Sequence, residues 1–157
     1  MCSSDLRAAK KEPWYEKTLF LLVSDHSHNS YRNWHPQSKD YQRVPFMMLG
    51  EAIKPEYRGT RISKIGNQHD VASTLLGQLR IPSVIFPYSK DLLNPGSGEF
   101  AYYTTEDGLG WITPQYYFTF EKTGSYYYPW SSQPLPDSVR DQGLAYLQTV
   151  FADYLNR

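Results

Sequence analysis

The sequence predicts an α/β fold followed by an antiparallel, aromatic-rich meander and a terminal helix. Thr18–Val23 is a continuous apolar run without alternation, the pattern of a strand buried on both faces of a parallel sheet. Beyond residue 99, aromatic side chains alternate with other residues in short segments separated by turn signals, as in an antiparallel meander. From Asp137 onward, apolar residues recur at helical spacing, which predicts an amphipathic helix at the C-terminal end.

The composition is that of a globular chain. Its 157 residues include 16 Lys plus Arg and 16 Asp plus Glu, so the formal net charge is zero, and 40% are hydrophobic. This hydrophobic content can build a core, whereas the lack of a basic surplus argues against a nucleic-acid partner. The longest apolar run, Leu19–Val23, is far shorter than the roughly 20 residues of a membrane-spanning helix. The single cysteine, Cys2, excludes an internal disulfide and a cysteine-based zinc site.

Residues 1–6 have no periodicity, and we interpret them as adapter-derived residues rather than native sequence. Back-translated, Cys2–Leu6 fits TGC TCT TCC GAT CT, the end of a widely used sequencing adapter. Under this interpretation the protein begins further upstream and the chain is a fragment. An ordinary frayed N-terminus is the alternative. From Leu6, a short helix is predicted up to Pro13.

The predicted elements of the first half follow an α/β pattern. After the first strand, Val44–Gly50 is a second buried strand, and Arg61–Ile65 alternates weakly, as a short strand does. Asp70 is in position to cap a helix that ends before Pro82 and carries apolar residues at four-residue spacing, namely Val71, Leu75 and Leu79. Strand, loop, strand and helix together predict an α/β arrangement.

The second half changes to antiparallel strands. Residues 86–98 are a loop punctuated by Pro and Gly, and Glu99–Thr104 then alternates with a period of two. Asp107-Gly108 is a turn signal, and the β-prone runs Trp111–Phe120 and Ser125–Trp130 complete the predicted meander. Asp137 or Ser138 is predicted to cap the terminal helix.

Polar side chains follow the first strand directly. Asp25 and His26 supply a carboxylate oxygen and an imidazole nitrogen at a strand end, where open α/β sheets bind ligands. This donor pair suits Zn²⁺ or Mn²⁺ better than Mg²⁺ or Ca²⁺, but it makes only half of a metal site. Further candidate ligands are His28, His35 and the adjacent pair His69 and Asp70. A solvated turn is the alternative for the pair, and a helix cap is the alternative for Asp70.

Three ordered motifs carry a resemblance to a known family. Thr18–His26, Val44–Met48 and Gln68–Leu76 resemble the C-terminal part of the sulfatase-like branch of the alkaline phosphatase superfamily. Within that branch they are most similar to the lipoteichoic acid synthase and phosphoglycerol transferase group. The resemblance implies that residues 7–98 are the C-terminal part of an α/β/α sandwich, the catalytic domain. Residues 99–157, the meander and the terminal helix, are expected to pack on that same domain.

The resemblance also implies a function. It implies an enzyme of the bacterial cell envelope, anchored through an upstream membrane segment, whose catalytic domain faces outward. The substrate class is a phosphate or sulfate ester, possibly linked to lipid or glycan, and phosphoglycerol or phosphoethanolamine transfer are the implied reactions. In that family the Asp-His pair binds the catalytic divalent metal, which carries over to Asp25 and His26. Mn²⁺ or Zn²⁺ is the expected ion, with Ca²⁺ and Mg²⁺ as alternatives.

Part of the implied catalytic machinery is not in this chain. The nucleophile, a Thr, Ser or modified Cys, and an acidic metal ligand are expected in the missing N-terminal part of the same protein. The 157 residues are therefore predicted to be inactive alone. His28, His35 and His69 are candidates for contacting substrate or supporting the metal ligands. Ser27 departs from the glycine that usually follows the Asp-His pair in the family, so a locally different conformation of this turn is expected.

A non-catalytic glycan- or lipid-binding module is the alternative function. Trp111, Trp130 and the tyrosines around them are suited to form a flat platform for sugars or lipid headgroups. The competing interpretation is that the meander packs these rings against the terminal helix as its core.

Overall fold

The computed structural model describes residues 2–28, 33–123, 126–127 and 134–157. Its main elements, in chain order, are α1 (Cys2–Ala9), β1 (Phe20–Val23), β2 (Phe46–Leu49), α2 (Asp70–Gln78), β3 (Ala101–Thr104), β4 (Gly108–Ile112), β5 (Tyr117–Glu121), β6 (Tyr126–Tyr127) and α3 (Asp137–Leu155). Single 3₁₀ turns lie at Tyr15–Lys17 and Pro55–Tyr57. The chain divides into two compact units. The first unit extends to Ser27 and resumes over Arg43–Ile62, and the second unit comprises His28–Gln42 and Ser63–Arg157.

The first unit contains a two-stranded sheet in which β1 and β2 are antiparallel. Phe20 lies opposite Leu49 and Val23 lies opposite Phe46, with no further strand on this sheet among the described residues. The prediction of parallel pairing for β1 is therefore wrong within the described chain. A continuous apolar run indicates that both faces of a strand are apolar, but it does not specify the direction of the neighbouring strand.

The second unit contains the predicted meander. β3, β4, β5 and β6 pair in sequence order, all antiparallel. Leu109, Trp111 and Phe118 form its buried core, and partly buried side chains of α3 pack against them. Gly143 lets the helix approach closely, because a Cβ atom there would lie 2.8 Å from Phe118 Cζ. The sheet and the terminal helix thus build one core.

The ends of two helices differ from the predictions. α2 ends before Pro82 as expected, but His69 occupies its N-cap position and Asp70 is its first helical residue. The N-cap of α3 is Pro136, and Asp137 lies in the first helical turn. An extended proline can lead into a helix without a capping side chain, and an acidic residue in the first turn still complements the helix dipole. The predicted caps at Asp70 and at Asp137 or Ser138 are therefore wrong.

Three further differences concern short elements. α1 spans Cys2–Ala9 and so begins earlier and ends earlier than predicted, with Asp5 in its first turn. The predicted strand Arg61–Ile65 is wrong, since residues 60–66 contain no strand. Its two isoleucines, Ile62 and Ile65, are three residues apart and would lie on opposite faces of a strand. Of the predicted strand Ser125–Trp130, Tyr126–Tyr127 forms β6 and the rest lies outside the described residues. Within the described part of the chain, no helix combines the length and the hydropathy needed to cross a bilayer.

Candidate metal centre

Asp25 and His26 lie on a turn that begins one residue after β1. Ser24 holds the start of this turn, because its backbone N–H donates to Pro45 O at 3.3 Å and its hydroxyl donates to His26 O at 2.7 Å. The side chains of Asp25 and His26 are 87% and 75% exposed. The strand end therefore presents both groups to the outside of the first unit.

The hydrogen bonds of the turn leave the imidazole in a defined state. His26 Nδ1 lies 2.6 Å from the carbonyl oxygen of Ser27, and a carbonyl only accepts, so Nδ1 carries the proton. In the neutral ring, Nε2 is then the nitrogen with the available lone pair. The backbone N–H of His26 donates to Asp25 Oδ1 at 2.9 Å, which orients the carboxylate. This is the arrangement found where a backbone acceptor fixes a metal-binding imidazole.

The spacing of the two donor atoms fits one metal ion. His26 Nε2 and Asp25 Oδ2 are 3.6 Å apart. Two ligands bound about 2.1 Å from a tetrahedral divalent ion lie about 3.4 Å from each other. Asp25 and His26 therefore fit as two ligands of a single ion without a large rearrangement of either side chain.

Ser27 does not strain the turn. Among the described residues, the non-glycine positions with positive φ are Asn33 and Arg80, so Ser27 does not adopt the left-handed conformation that would favour glycine. Its carbonyl instead receives the imidazole hydrogen bond. The replacement of glycine by serine is compatible with the geometry of the pair.

A third ligand is not supplied by the described residues. Nowhere in the described ranges do three or more His, Cys, Asp or Glu side chains group closely enough to hold an ion. A stable protein site for a divalent transition metal ordinarily has three or four protein ligands. Asp25 and His26 offer two donor atoms, and their role as metal ligands stays a prediction.

His28 and His35 belong to the second unit and are both exposed. The Nδ1 atom of His35 accepts a long hydrogen bond from the backbone N–H of Gln37, at 3.3 Å, which stabilises its own loop. The contacts of these two histidines indicate no substrate or metal. Their predicted supporting role stays a prediction.

His69 and Asp70 lie in a cluster with Lys90, a residue that the sequence analysis did not identify. The Asp70 side chain is 0% exposed and accepts from Lys90 Nζ at 2.7 Å, from the backbone N–H of Lys90 at 2.8 Å and from that of Asn67 at 2.7 Å. These bonds tie the start of α2 to the loop that follows it. Because Lys90 is twenty residues further along, no short motif connects the two residues in sequence. The Asp70 carboxylate is saturated and buried, so it is a structural group.

His69 stands at the edge of this cluster. Its Nε2 atom is 3.6 Å from Asp70 Oδ1 and is buried without a hydrogen-bond partner among the described residues. Burial lowers the pKa of His69 below 6.5, and the opposing attraction of Asp70 is smaller. The ring also lies 5.7 Å from the ring of Tyr102. Burial therefore favours the neutral form of the His69 imidazole, which lies within the second unit.

Among the described aromatic residues of the meander, Trp111 and Phe118 belong to the core rather than to an open platform. Trp111 is 4% exposed and stacks on Phe100 with centroids 4.8 Å apart, and Tyr146 of α3 packs against both rings. A shallow groove of about 420 Å³ runs along this contact, between the rings and exposed residues of α3. Trp130, the second tryptophan of the proposed platform, lies outside the described residues. The packing of Trp111 supports the core interpretation.

Comparison with known proteins supports the predicted architecture. No protein-family model and no curated protein matches the chain. Among solved structures, the chain is similar to a protein in the alkaline phosphatase superfamily from Vibrio parahaemolyticus, with a TM-score of 0.73 and 20% sequence identity. The match covers 98% of this chain and 39% of that protein. The mixed helix and sheet of this chain, including its terminal helix, thus has the fold of one part of an alkaline phosphatase superfamily protein.

Proposed function

We propose that this chain is part of a metal-dependent enzyme acting on phosphate or sulfate esters, and that it contributes Asp25 and His26 to the divalent metal centre. The observation that carries the proposal is the 3.6 Å separation of Asp25 Oδ2 and His26 Nε2 on an exposed turn after β1. The fold likeness to an alkaline phosphatase superfamily protein supports the same reaction class. Both side chains are largely exposed, so neither is part of a buried core.

Asp25, His26 and the backbone of Ser27 have different roles in the proposed site. Asp25 supplies a negative oxygen, and His26 supplies Nε2 in the tautomer that the Ser27 carbonyl selects. This mixed oxygen and nitrogen set favours Mn²⁺ or Zn²⁺ over Mg²⁺ or Ca²⁺. A bound divalent ion supplies Lewis-acid chemistry, by activating a hydroxyl and by stabilising charge on the ester oxygens. The protein contributes the fixed geometry of its ligands before substrate arrives.

The remaining ligands and the nucleophile are assigned to polypeptide upstream of this chain. The chain spans 39% of the length of the solved structure that it matches, and its described residues contain no group of three or more potential metal ligands. We assign the complete protein to the bacterial cell envelope, with a membrane anchor in its N-terminal part. Its reaction is phosphoglycerol or phosphoethanolamine transfer, or hydrolysis of the related ester, as the sequence resemblance implies.

The test uses the longer gene product, translated from the genomic reading frame upstream of Met1. Metal content is measured by mass spectrometry, and cleavage of an aryl phosphodiester and an aryl sulfate is followed with and without chelator. We expect Asp25→Asn and His26→Gln to lose metal and at least about 100-fold in kcat/KM, as removal of a metal ligand does. Glu56→Gln, an exposed carboxylate of the same unit, is the matched control.

Two results contradict the proposal. One is an in-frame stop codon just ahead of Met1, which would make the 157 residues the natural product. The other is a longer product whose metal content and turnover are unchanged by both ligand substitutions. Turnover by the isolated 157 residues would overturn the assignment of the nucleophile to the upstream part.

A further inference from the structure

The loop that follows α2 places large apolar side chains in solvent. Val84 is 84% exposed and Ile85 is 77% exposed, and their neighbours Ile81 and Phe86 are exposed as well. The loop belongs to the second unit, whose buried core lies between the meander and α3. Single exposed apolar residues are ordinary, but a cluster of them in one segment is a mark of an interaction site.

Val84 and Ile85 are the two central residues of a tight turn. The backbone N–H of Phe86 donates to Ser83 O at 2.9 Å and closes this turn. Glycine, proline, asparagine and aspartate are the usual turn residues, whereas β-branched side chains favour strands. Two adjacent β-branched residues are therefore unfavourable here, both for the backbone and for contact with water. Where a sequence departs from such local rules without a gain inside the fold, a function of the side chains is expected.

Both ends of this loop are bound to α2. At its start, the backbone N–H of Ile81 donates to Leu76 O at 2.9 Å. At its end, Ser89 Oγ accepts from the backbone N–H of Ser73 at 2.9 Å, and Ser89 O accepts from Ser73 Oγ at 3.0 Å. Two prolines flank the turn and restrict the backbone further. The turn thus stands on a fixed base, so its docking does not require a flexible loop to be ordered first.

Arg80 gives the loop a positive charge. It is exposed, and it is the only charged residue between Gly77 and Ser89. Arg80 follows the C-cap of α2 with a φ of 57°, and its N–H donates to Gly77 O at 3.1 Å. Helices that end in this left-handed conformation usually have a glycine at this position. The end of the helix therefore does not account for an arginine here.

The chemistry of the loop fits a lipid surface better than a protein. The hydrocarbon of a bilayer accepts apolar side chains of any shape, whereas a protein partner needs a matching pocket, and the centres of such interfaces favour Trp, Tyr and Arg over Val. Two copies of a convex turn would bury little of each other. No acidic residue lies between Gly77 and Ser89, so Arg80 is free of a like-signed conflict with anionic headgroups. Apolar residues next to a basic residue are typical of segments that bind at a membrane surface.

We propose that the Val84–Ile85 turn inserts into the surface of a bilayer that contains anionic lipids, with Arg80 at the level of the headgroups. The two aliphatic side chains leave water, and the guanidinium contacts lipid phosphate. One short turn binds weakly, as a single acyl chain does, so the contact is reversible and orients the second unit toward the membrane. This inference does not rest on the proposed function, because it involves no metal and no residue of the candidate centre.

Vesicle binding tests the surface in the 157-residue chain. Co-sedimentation is measured with vesicles of phosphatidylglycerol and phosphatidylcholine, and with vesicles of phosphatidylcholine alone. The double variant Val84→Ser with Ile85→Ser should bind the anionic vesicles at least about tenfold more weakly, because serine is compatible with the turn but gains nothing from hydrocarbon. Leu155→Ser, at a residue of α3 that is 78% exposed, is the matched control and should bind as the unsubstituted chain does. Because the formal net charge of the chain is zero, overall charge does not account for binding.

The charge of Arg80 is tested separately. Arg80→Gln should weaken binding to the anionic vesicles by about fivefold and leave binding to the neutral vesicles unchanged, since one basic residue near an anionic surface contributes about that factor. An equal loss on both kinds of vesicle would overturn the headgroup contact. Binding to the anionic vesicles that is unchanged by the double serine substitution would overturn the proposal as a whole.

A fluorescent probe measures insertion itself. A nitrobenzoxadiazole group is attached to Ile85→Cys or to the control Leu155→Cys, each in a Cys2→Ser background. On anionic vesicles we expect the emission from Ile85→Cys to shift to the blue and to be quenched by spin-labelled lipid, with neither change for Leu155→Cys. Absence of both changes at Ile85→Cys would overturn the proposal.

Protein occupants of the turn give a different result with the same probe. Blue-shifted emission from Ile85→Cys without vesicles, together with a dimer mass in sedimentation, would overturn the proposal in favour of a second copy. The same emission without vesicles in the longer product would overturn it in favour of upstream polypeptide. The proposed function fails on metal content and turnover, whereas this proposal fails on vesicle binding and probe emission, so the two failures are distinguishable.

Discussion

The two units of the chain differ in how they use their apolar residues. In the first unit, the described residues include one buried side chain, Ala9, although both strands are wholly apolar. The second unit buries Leu109 and Phe118 completely, together with the polar group Asp70. The second unit therefore has its own core, whereas the first carries the candidate metal ligands on an uncovered sheet. The buried core and the candidate metal ligands thus lie in different units of the chain.

The largest expected loss of stability in the second unit comes from Asp70→Ala. The substitution leaves Lys90, whose side chain is 12% exposed, without its counter-ion, and leaves two backbone N–H groups without their acceptor. Removing one partner of a buried ion pair costs about 3 to 5 kcal/mol in the free energy of unfolding. Urea denaturation measures this change in the free energy of unfolding. The exposed pair of Asp141 with Arg140 provides the control, and Asp141→Ala should cost less than about 1 kcal/mol. Similar losses for the two variants would contradict the assigned role of Asp70.

A matched pair of leucines compares the two units directly. Leu109→Ala removes a completely buried side chain and should cost about 3 kcal/mol in the free energy of unfolding. Leu22→Ala, on the partly exposed sheet of the first unit, should cost about 1 kcal/mol, because much of its surface already meets water. Denaturation followed by residue-resolved NMR separates the two units. Equal costs would mean that the first unit has a core of its own.

Two tyrosines of the second unit differ in how much their hydroxyl groups are expected to contribute to stability. Tyr103 Oη bonds to Thr119 Oγ1 at 2.9 Å and donates to Gln37 O, so Tyr103→Phe should cost about 1 kcal/mol in unfolding free energy. Tyr146 Oη is buried and has no hydrogen-bond partner within the described part of the chain, and burial raises the pKa of its phenol. Tyr146→Phe should therefore be neutral or slightly stabilising. Thermal denaturation of both variants checks the difference, and a larger loss for Tyr146→Phe would reveal a partner for its hydroxyl.

The smallest expected effect is a pH dependence at His69. Burial lowers its pKa below 6.5, so just below pH 6.5 the unfolded chain binds more protons than the folded chain. The stability linked to His69 is thus fully present above pH 6.5 and decreases as the pH falls below that value. An NMR titration of the imidazole should give a midpoint under 6.5, and His69→Gln should reduce the loss of stability on acidification. His35→Gln, an exposed control, should leave that loss unchanged. A His69 midpoint above 6.5 would contradict the burial argument.

Sequence patterns predicted the elements of this fold better than their pairing. The apolar run ending at Val23 identified β1 and the turn with Asp25 and His26, and alternating aromatics identified the meander. The strand that pairs with β1 was predicted, but its antiparallel direction was missed, because an apolar strand has the same pattern in either orientation. The role of Asp70 was also missed, because its partner Lys90 comes close only after the intervening chain has folded. Long-range polar contacts of this kind leave no periodic signal in a sequence.

The central claim, that Asp25 and His26 bind one divalent ion, is tested most directly with the ¹⁵N-labelled 157-residue chain. Substoichiometric Mn²⁺ broadens the NMR signals of amides near a bound ion, so even weak binding by two ligands is visible. We predict broadening centred on residues 24–28, reversed by chelator, absent in Asp25→Asn and His26→Gln, and retained in Glu106→Gln, an exposed control. Broadening that is centred on another site, or that persists in both ligand variants, would contradict the claim.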